Sequence, residues 1–187
     1  MEKKYKLIAL FGKSGVGKDT LCKYLSQKYG FHKVVGCTTR PKREGEIDRE
    51  DYFFLSEKAF TRKLLTYELV EATTFKDWFY GTSIKSFQIN NINIGVFNPE
   101  SIIQLKQDTR FEIIPIEIIV EDKERLLRAL TREKEPNCFE ICRRFIADEK
   151  DFEEMDFSYY QYLNNKPIEA NNVINIEPLK EWMGKIK

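Results

Sequence analysis

The sequence has a single histidine, His32, and only four cysteines, at positions 22, 37, 138 and 142. No two cysteines have the Cys-x-x-Cys spacing of a zinc or redox motif, and one histidine cannot complete a zinc site of the usual finger type. We therefore expect four free thiols, as is usual for a protein of a reducing compartment.

Long hydrophobic runs are also lacking. The longest, residues 7–11 and 113–119, fall well short of the roughly 20 residues that a membrane-spanning helix needs. Residues 1–4 carry no hydrophobic core of a signal peptide. The net charge of +1 gives no indication of nucleic-acid binding. These absences predict a cytoplasmic protein that has neither a membrane nor a nucleic acid as partner.

Short apolar runs alternate with amphipathic segments along the chain. This pattern predicts an α/β fold with a parallel sheet covered by helices on both faces. The expected strands are residues 5–11, 33–36, 52–55, 69–75, 78–81, 92–97, 113–120 and 172–176. The expected helices are residues 20–29, 56–65 after a Ser56 cap, 99–107 from Pro99, 122–133 after an Asp122 cap, 139–155 and 178–185.

The strongest motif follows the first predicted strand. Residues 12–18 read Gly-x-x-x-x-Gly-Lys, the pattern of a phosphate-binding loop, but Asp19 stands where Ser or Thr is usual and Thr20 comes next. Glycines let backbone N–H groups turn towards phosphate oxygens, and the start of a helix adds partial positive charge. We expect this phosphate loop to bind ATP, with Thr20 as the candidate Mg²⁺ ligand. Its candidate residues are Gly12, Ser14, Gly15, Val16, Gly17, Lys18, Asp19 and Thr20.

A second segment, residues 38–54, is rich in charge. Arg40 and Arg43 flank Pro41 and Lys42, and two forked guanidinium groups can clamp a dianionic phosphate. On charge alone a solvated surface loop is the favoured interpretation. The wider pattern changes that interpretation, because its parts occur in a fixed order: Thr38-Thr39-Arg40, Arg43, Gly45-Glu46, Asp51-Tyr52-Phe53-Phe54, Glu71 and Tyr80-Gly81-Thr82.

In this order and spacing, residues 8 to about 85 resemble guanylate kinase, and a weaker similarity continues to about residue 155. The resemblance implies transfer of the γ-phosphate of ATP, with Mg²⁺, to GMP or dGMP. It implies that Arg40, Arg43, Tyr52 and Tyr80 hold the acceptor phosphate. Glu71 would accept the N1–H and 2-amino groups of guanine, and Thr82 would donate to the 6-oxo group. Asn98 stands where the family has an aspartate near the metal and acceptor.

The resemblance also implies a division of the single domain, residues 1–187. The core would comprise residues 1–36 and 87–187, an inserted α+β lobe for the acceptor would comprise residues 37–86, and a helical lid would span about 128–144. Arg128 and Arg132 match the lid motif of the family, and Arg144 matches its second lid arginine. The catalytic candidates are Lys18, Arg40, Arg132 and Arg144. The neighbouring Lys123, Glu124 and Arg125 are expected to be solvated.

Three departures from the family pattern leave alternatives open. They are Asp19 in the phosphate loop, Gly36 where the family often has a serine that reads guanine, and the uncharged Asn98. Asp19 and Gly36 favour a kinase with another or a broader acceptor. Asn98 favours a non-catalytic binding module, but such a module has no need of the retained phosphate loop.

Overall fold

The computed structural model describes residues 3–43, 45–75, 77–132, 134–153, 155 and 157–163. These residues form nine strands, five α-helices and a short 3-10 turn at Ile84–Ser86. In chain order the elements are β1 (Tyr5–Phe11), α1 (Lys18–Tyr29), β2 (His32–Lys33), β3 (Cys37–Thr38), β4 (Phe53–Phe54), α2 (Glu57–Leu65), β5 (Leu69–Phe75), β6 (Trp78–Ser83), β7 (Ile92–Val96), α3 (Pro99–Gln107), β8 (Phe111–Ile119), α4 (Asp122–Thr131), α5 (Cys138–Asp151) and β9 (Tyr160–Leu163).

The larger sheet is parallel throughout and has the order β2-β7-β1-β8-β9. Its central strand β1 is buried on both faces, which explains its continuous apolar sequence. Alternate side chains of β1 enter two different hydrophobic clusters. Ile8 and Leu10 pack with Leu21 and Leu25 of α1, whereas Leu7 packs on the other face, in a cluster that contains Ile102 of α3. Helices therefore cover both faces, and the predicted α/β fold class is confirmed.

The smaller sheet is built from residues 37–83 and has the order β4-β3-β6-β5. Phe60 of α2 covers it and stacks on Phe79 at a centroid distance of 5.5 Å. Its edge strand β5 is tied to α3 by a pair of hydrogen bonds. The side chain of Gln104 accepts from Ala72 N at 3.0 Å and donates to Ala72 O at 3.0 Å. One amide side chain thus satisfies backbone groups that an edge strand leaves unpaired.

Several predicted boundaries need correction. Helix α1 begins at Lys18 rather than at residue 20, and α5 ends at Asp151 rather than at residue 155. The N-cap of α4 is Glu121, so Asp122 is its first helical residue. Strand β9 was not predicted, and the predicted strand 172–176 and helix 178–185 lie outside the described residues. Among the helices that are described, none is long and apolar enough to cross a bilayer.

Candidate active site

A cleft of about 360 Å³ lies between the two sheets. It opens beyond the carboxyl ends of β1 and β7, where ligands bind in open α/β sheets. The structure brings together at this cleft many of the site residues that the sequence predicts. They are Gly12, Lys18, Asp19, Tyr52, Glu71, Tyr80, Thr82 and Asn98. Ser101 and Asp148, which the sequence did not single out, line the same cleft.

The two ends of the phosphate loop, Gly12 and Lys18, line the cleft. Gly12, Gly15 and Gly17 all have positive φ angles, and at Gly12 a β-carbon would lie 2.5 Å from the carbonyl oxygen of Ile118. Gly17 caps α1 without any side-chain hydrogen bond, so the first-turn N–H groups of α1 receive no side-chain cap from it. The loop backbone therefore has the shape and the donors that a phosphate site needs.

The Lys18 ammonium lies against this loop. Its Nζ donates to the carbonyl oxygens of Gly12 at 2.7 Å and Lys13 at 3.1 Å. Burial lowers the pKa of Lys18, although the negative charges of Asp19 and Asp148 oppose the change. A negative ligand in the cleft would favour the charged ammonium in the same way.

Behind the loop lies a network that the sequence did not reveal. Arg125 was expected to be solvated, but its side chain is 1% exposed. Its Nη1 donates to Asp148 Oδ2 at 3.0 Å, and its guanidinium lies 4.1 Å from the ring centre of Phe145. Asp148 also accepts from Ser14, from the backbone N–H at 2.7 Å and from the hydroxyl at 3.1 Å. Hydrogen bonds and stacking stabilise the buried charge, which is why Arg125 turns inward.

A cluster of arginines forms near the opposite wall. Arg40 is 4% exposed and makes a bidentate pair with Glu46, with Nη2–Oε1 at 2.7 Å and Nη1–Oε2 at 3.0 Å. Its Nη1 also donates to Pro41 O at 2.7 Å. These bonds fix the plane of the guanidinium before any ligand arrives. Burial opposes the charge of Arg40, but the bonds to Glu46 outweigh this and raise its pKa.

Arg43 lies near both Arg40 and Arg144. Desolvation, followed by repulsion from Arg144 and then Arg40, lowers the pKa of Arg43. Arg144 belongs to α5 and is held by Glu140, with Nε–Oε1 at 3.0 Å. The three guanidinium groups outnumber the two carboxylates that hold them, Glu46 and Glu140, and an anion would relieve the remaining positive charge.

The predicted arginines, Arg40, Arg43, Arg132 and Arg144, do not line the cleft itself. Arg132 is exposed and caps the C-terminus of α4, and Thr20 is exposed on the first turn of α1. Ser14, Gly15, Val16 and Gly17 lie in the loop between Gly12 and Lys18 and do not line the cleft either. The structure thus brings the two ends of the phosphate loop and Glu71 into one cleft and leaves the predicted lid arginines outside it.

Two tyrosines extend the wall on the side of Arg40. The rings of Tyr52 and Tyr80 meet edge to face at 6.1 Å, and the Arg40 guanidinium lies 5.7 Å from the Tyr52 ring centre. Burial, reinforced by the charge of Asp19, raises the pKa of Tyr52. The phenol of Tyr52 therefore stays neutral at ordinary pH and can donate a hydrogen bond to an anion.

The far end of the cleft holds a buried carboxylate. Glu71 is 5% exposed, and its two oxygens accept hydroxyl hydrogen bonds, Oε1 from Thr82 and Oε2 from Ser101, each at 2.6 Å. Burial raises the pKa of Glu71, and these two bonds act in the opposite direction. Gly36 also lines the cleft, where a β-carbon would lie 3.6 Å from Thr82 Oγ1.

Asn98 makes two structural hydrogen bonds at the same end of the cleft. Its Oδ1 accepts from Ser101 N at 2.7 Å and so caps α3, while its Nδ2 donates to Thr73 Oγ1 at 2.9 Å. The amide thus joins the start of α3 to β5. A carboxylate could still accept from Ser101 N but could not donate to Thr73 as Nδ2 does.

Oxygen ligands for a cation are sparse. Over the described part of the chain, no group of three or more His, Cys, Asp or Glu residues could hold a metal ion. Mg²⁺ in nucleotide sites needs only one or two protein oxygens, because phosphates and waters supply the rest. Asp19 offers a carboxylate that lines the cleft beside Lys18, and Thr20 offers a hydroxyl that does not line it. The residues present therefore fit a metal that arrives with a nucleotide.

Comparison with known proteins gives a consistent result. The family model described as guanylate kinase matches residues 4–177. The guanylate kinase of Caldanaerobacter subterraneus subsp. tengcongensis is 33% identical over 163 residues, which cover 84% of this chain and 77% of that protein. That of Wigglesworthia glossinidia brevipalpis is 32% identical over 181 residues, which cover 92% and 85%.

A third relative and a solved structure complete the comparison. The guanylate kinase of Symbiobacterium thermophilum is 42% identical, but over only 77 residues, which cover 41% of this chain and 36% of that protein. The crystal structure of guanylate kinase from Anaplasma phagocytophilum aligns with a TM-score of 0.63 at 18% identity, covering 100% of this chain and 84% of that one. At that identity the structural match supports the fold alone. The sequence matches bear out the resemblance found in residues 8 to 85.

Proposed function

We propose that this chain, which belongs to the guanylate kinase family of phosphotransferases, transfers the γ-phosphate of ATP to a guanine nucleoside monophosphate, GMP or dGMP. One observation carries the proposal. A single cleft is lined by Gly12 and Lys18, the two ends of the phosphate loop, and by the buried carboxylate of Glu71. A nucleotide phosphate and a purine base thus find complementary groups in one cavity.

The donor phosphates would bind the loop. Backbone N–H groups at Ser14, Gly15, Val16 and Gly17 and in the first turn of α1 would donate hydrogen bonds to oxygens of the β- and γ-phosphates, and Lys18 would leave its carbonyl partners to meet them. Mg²⁺ bound with ATP would neutralise developing charge, held by Thr20 or, on the cleft side, by Asp19. Asp19 is the better placed of the two because it lines the cleft.

The acceptor phosphate would bind beside Arg40. Glu46 and Pro41 take three of the five N–H donors of Arg40, so among the described contacts two remain for an anion. Arg43 and the phenols of Tyr52 and Tyr80 would supply the other bonds. Arg132 and Arg144, in the proposed lid at about 128–144, would close over the transferred group and exclude water. The two reactants would be aligned for in-line transfer by the proposed core, residues 1–36 and 87–187, and by the acceptor lobe, residues 37–86.

The base would be read by Glu71 and Thr82. An ionised carboxylate can accept two parallel N–H donors, and guanine offers them at N1 and the 2-amino group, whereas adenine offers neither. Thr82 would donate to the 6-oxo group, which requires its hydroxyl to turn from Glu71 when the base binds. Asn98 would support this end of the cleft through the cap of α3 and its bond to Thr73.

The test is a coupled assay of ADP formation with Mg²⁺-ATP and each of GMP, dGMP, AMP, CMP, UMP and dTMP. Strong turnover of GMP or dGMP alone is expected. Lys18→Ala should abolish transfer with every acceptor, whereas Glu71→Ala should mainly impair the guanine nucleotides. Equal turnover of another monophosphate, or a Glu71→Ala variant that uses GMP and AMP as the unchanged protein does, would overturn the proposed acceptor.

A further inference from the structure

Ser101 stands out because its hydroxyl holds the carboxylate that faces the base end of the cleft. Its Oγ donates to Glu71 Oε2 at 2.6 Å, and both side chains are almost fully buried, at 4% and 5% exposure. The bond links two separate elements, since Ser101 lies in the first turn of α3 and Glu71 in β5. No motif in the sequence pointed to this serine.

The hydroxyls of Thr82 and Ser101 bind different oxygens of the Glu71 carboxylate. Thr82 donates to Oε1 and Ser101 to Oε2, so each oxygen keeps further acceptor capacity for a ligand. This arrangement fits the ionised form, which has acceptors only. A protonated carboxyl would carry an O–H donor on one oxygen, and that oxygen would be a weaker acceptor for its hydroxyl partner.

We propose that Ser101 is a positioning residue that holds Glu71 ionised and in one orientation, and thereby makes the cleft select guanine over adenine. This inference rests on the proposed function. Thr82 cannot do the same in the complex, because there its hydroxyl turns to the 6-oxo group. Ser101 then remains as the internal donor to the carboxylate.

The selectivity follows from the donors and acceptors of each form. Ionised Glu71 accepts two N–H bonds and so matches the N1–H and 2-amino groups of guanine. A neutral carboxyl donates one bond and accepts one. That pair matches adenine instead, whose N1 accepts and whose 6-amino group donates. Loss of the charge on Glu71 would therefore weaken GMP binding and strengthen AMP binding.

Apart from these two hydroxyls, the groups around Glu71 do not favour its ionised form. Glu100, at the start of α3, acts on Glu71 with its negative charge, and burial raises the pKa of the Cys37 thiol to about 11, which keeps that thiol neutral. Three other titratable groups lie on neighbouring elements. Lys63 of α2 pairs with Glu68, Arg143 of α5 lies over Phe75 at the far end of β5, and Tyr80 of β6 is a phenol.

The experiment measures the dissociation constants of GMP and AMP by calorimetry between pH 5.5 and 8, together with kcat and KM. Ser101→Ala should weaken GMP binding about tenfold at pH 7, since a hydrogen bond to a charged group is lost. Removal of a bond that lowers the pKa of Glu71 lets the carboxyl protonate at higher pH. The pH at which GMP affinity begins to fall should therefore move upward, and AMP should bind more tightly at the acid end.

Three further variants separate positioning from a general packing defect. Ser101→Thr keeps the hydroxyl and should restore guanine selectivity. Ser86→Ala removes a comparable serine bond, from Ser86 Oγ to Val35 O at 2.9 Å, outside the cleft and should change neither the affinity nor its pH profile. In a protein that already carries Glu71→Gln, Ser101→Ala should weaken GMP binding by less than a further twofold, because residue 71 then has no negative charge for Ser101 to stabilise.

The outcomes separate the two proposals. If the unchanged protein selects GMP and Ser101→Ala keeps the same GMP affinity, selectivity and pH profile, this inference is wrong and the proposed function stands. Additive effects of Glu71→Gln and Ser101→Ala would also overturn it. If the unchanged protein shows no preference for guanine, the proposed function fails, and the inference fails with it.

Discussion

Arg125 Nη1 lies 3.0 Å from Asp148 Oδ2, and this contact joins α4 to α5 directly behind the phosphate loop. Because Asp148 also accepts the backbone N–H of Ser14, the loop and both helices share one buried network. A phosphate that takes the Ser14 N–H would compete with the Asp148 carboxylate. A phosphate in the loop would therefore alter a network that includes α5, which carries Arg144, and α4, which ends just before Arg132.

Removal of Arg125 should destabilise the fold. Arg125→Met should lower the free energy of unfolding by about 3 kcal/mol, because it leaves the largely buried Asp148 without its ion-pair partner. It should also raise the KM for ATP, since the loop loses its support. Urea denaturation followed by circular dichroism measures the first effect, and steady-state kinetics the second.

Two companion variants test the cause of that loss. The double variant Arg125→Met, Asp148→Leu should be more stable than Arg125→Met alone, since no buried charge is left unpaired. Asp122→Asn, at a partner of Arg125 that is 76% exposed, should change stability by less than about 0.5 kcal/mol. A double variant less stable than the single one would contradict the ion-pair explanation.

Two glycines with similar backbone angles test whether Arg125 constrains the phosphate loop. Gly15 has φ +82° and Gly45 has φ +79°, but only at Gly15 would a β-carbon meet another group, 2.6 Å from the carbonyl oxygen of Arg125. Gly45→Ala should cost about 1 kcal/mol from backbone strain alone. Gly15→Ala should cost clearly more and raise the KM for ATP, as read from urea denaturation and kinetics. Equal losses for the two variants would mean that the contact with Arg125 does not constrain the loop.

The sequence predicted the elements that have strong local signals. Residues 5–11 formed the expected strand because a parallel central strand is apolar on both faces, and α3 kept its expected bounds because Pro99 opens it. Ser56 caps α2 as expected, accepting from Ala59 N. Strand β4 lies within the predicted strand 52–55, β2 overlaps the predicted strand 33–36 only at Lys33, and β3 was not predicted. Each has only two residues, too few for a periodic pattern, so tertiary pairing sets its bounds.

The burial of side chains was harder to predict from the sequence than the backbone structure. In α4 the pattern is inverted, with Arg125 buried while Leu126 and Leu127 are 36% and 47% exposed. Hydrophobic periodicity cannot anticipate this, because the partner Asp148 lies on another helix. Ser101 was missed for the same reason, since its bond to Glu71 depends on how α3 packs against β5.

The planar guanidinium of Arg40 should contribute to acceptor binding through its geometry as well as its charge. Arg40→Lys keeps one positive charge but loses the planar donors that pair with Glu46 and still leave N–H groups for a phosphate. We expect the KM for the acceptor nucleotide to rise by about tenfold to a hundredfold, with a smaller change in the KM for ATP. The matched control is Arg49→Lys, at a side chain that is 79% exposed, which should leave both constants within about twofold. Equal increases in the two KM values for Arg40→Lys would contradict a role specific to the acceptor.

The Arg40–Glu46 pair also predicts a pH dependence of stability. Burial acts to raise the pKa of Glu46, but bonds from the Arg40 guanidinium and the Arg43 N–H outweigh it and lower the pKa below the usual 4.5. A carboxyl with a depressed pKa stabilises the fold fully above its unfolded pKa and loses that contribution as pH falls through the folded pKa. The stabilisation should therefore be constant near neutral pH and fade below pH 4.5.

Glu46→Gln should accordingly lower the free energy of unfolding by about 2 kcal/mol at pH 7, where the charged bonds to Arg40 are complete. Urea denaturation of both proteins from pH 7 to 3 should show this gap closing below pH 4.5, because protonation removes the same charge from the unchanged protein. Glu112→Gln, at an exposed position of β8, should show no such gap. A gap for Glu46→Gln that persists unchanged to pH 3 would mean that the glutamate stabilises the loop by packing rather than by its charge.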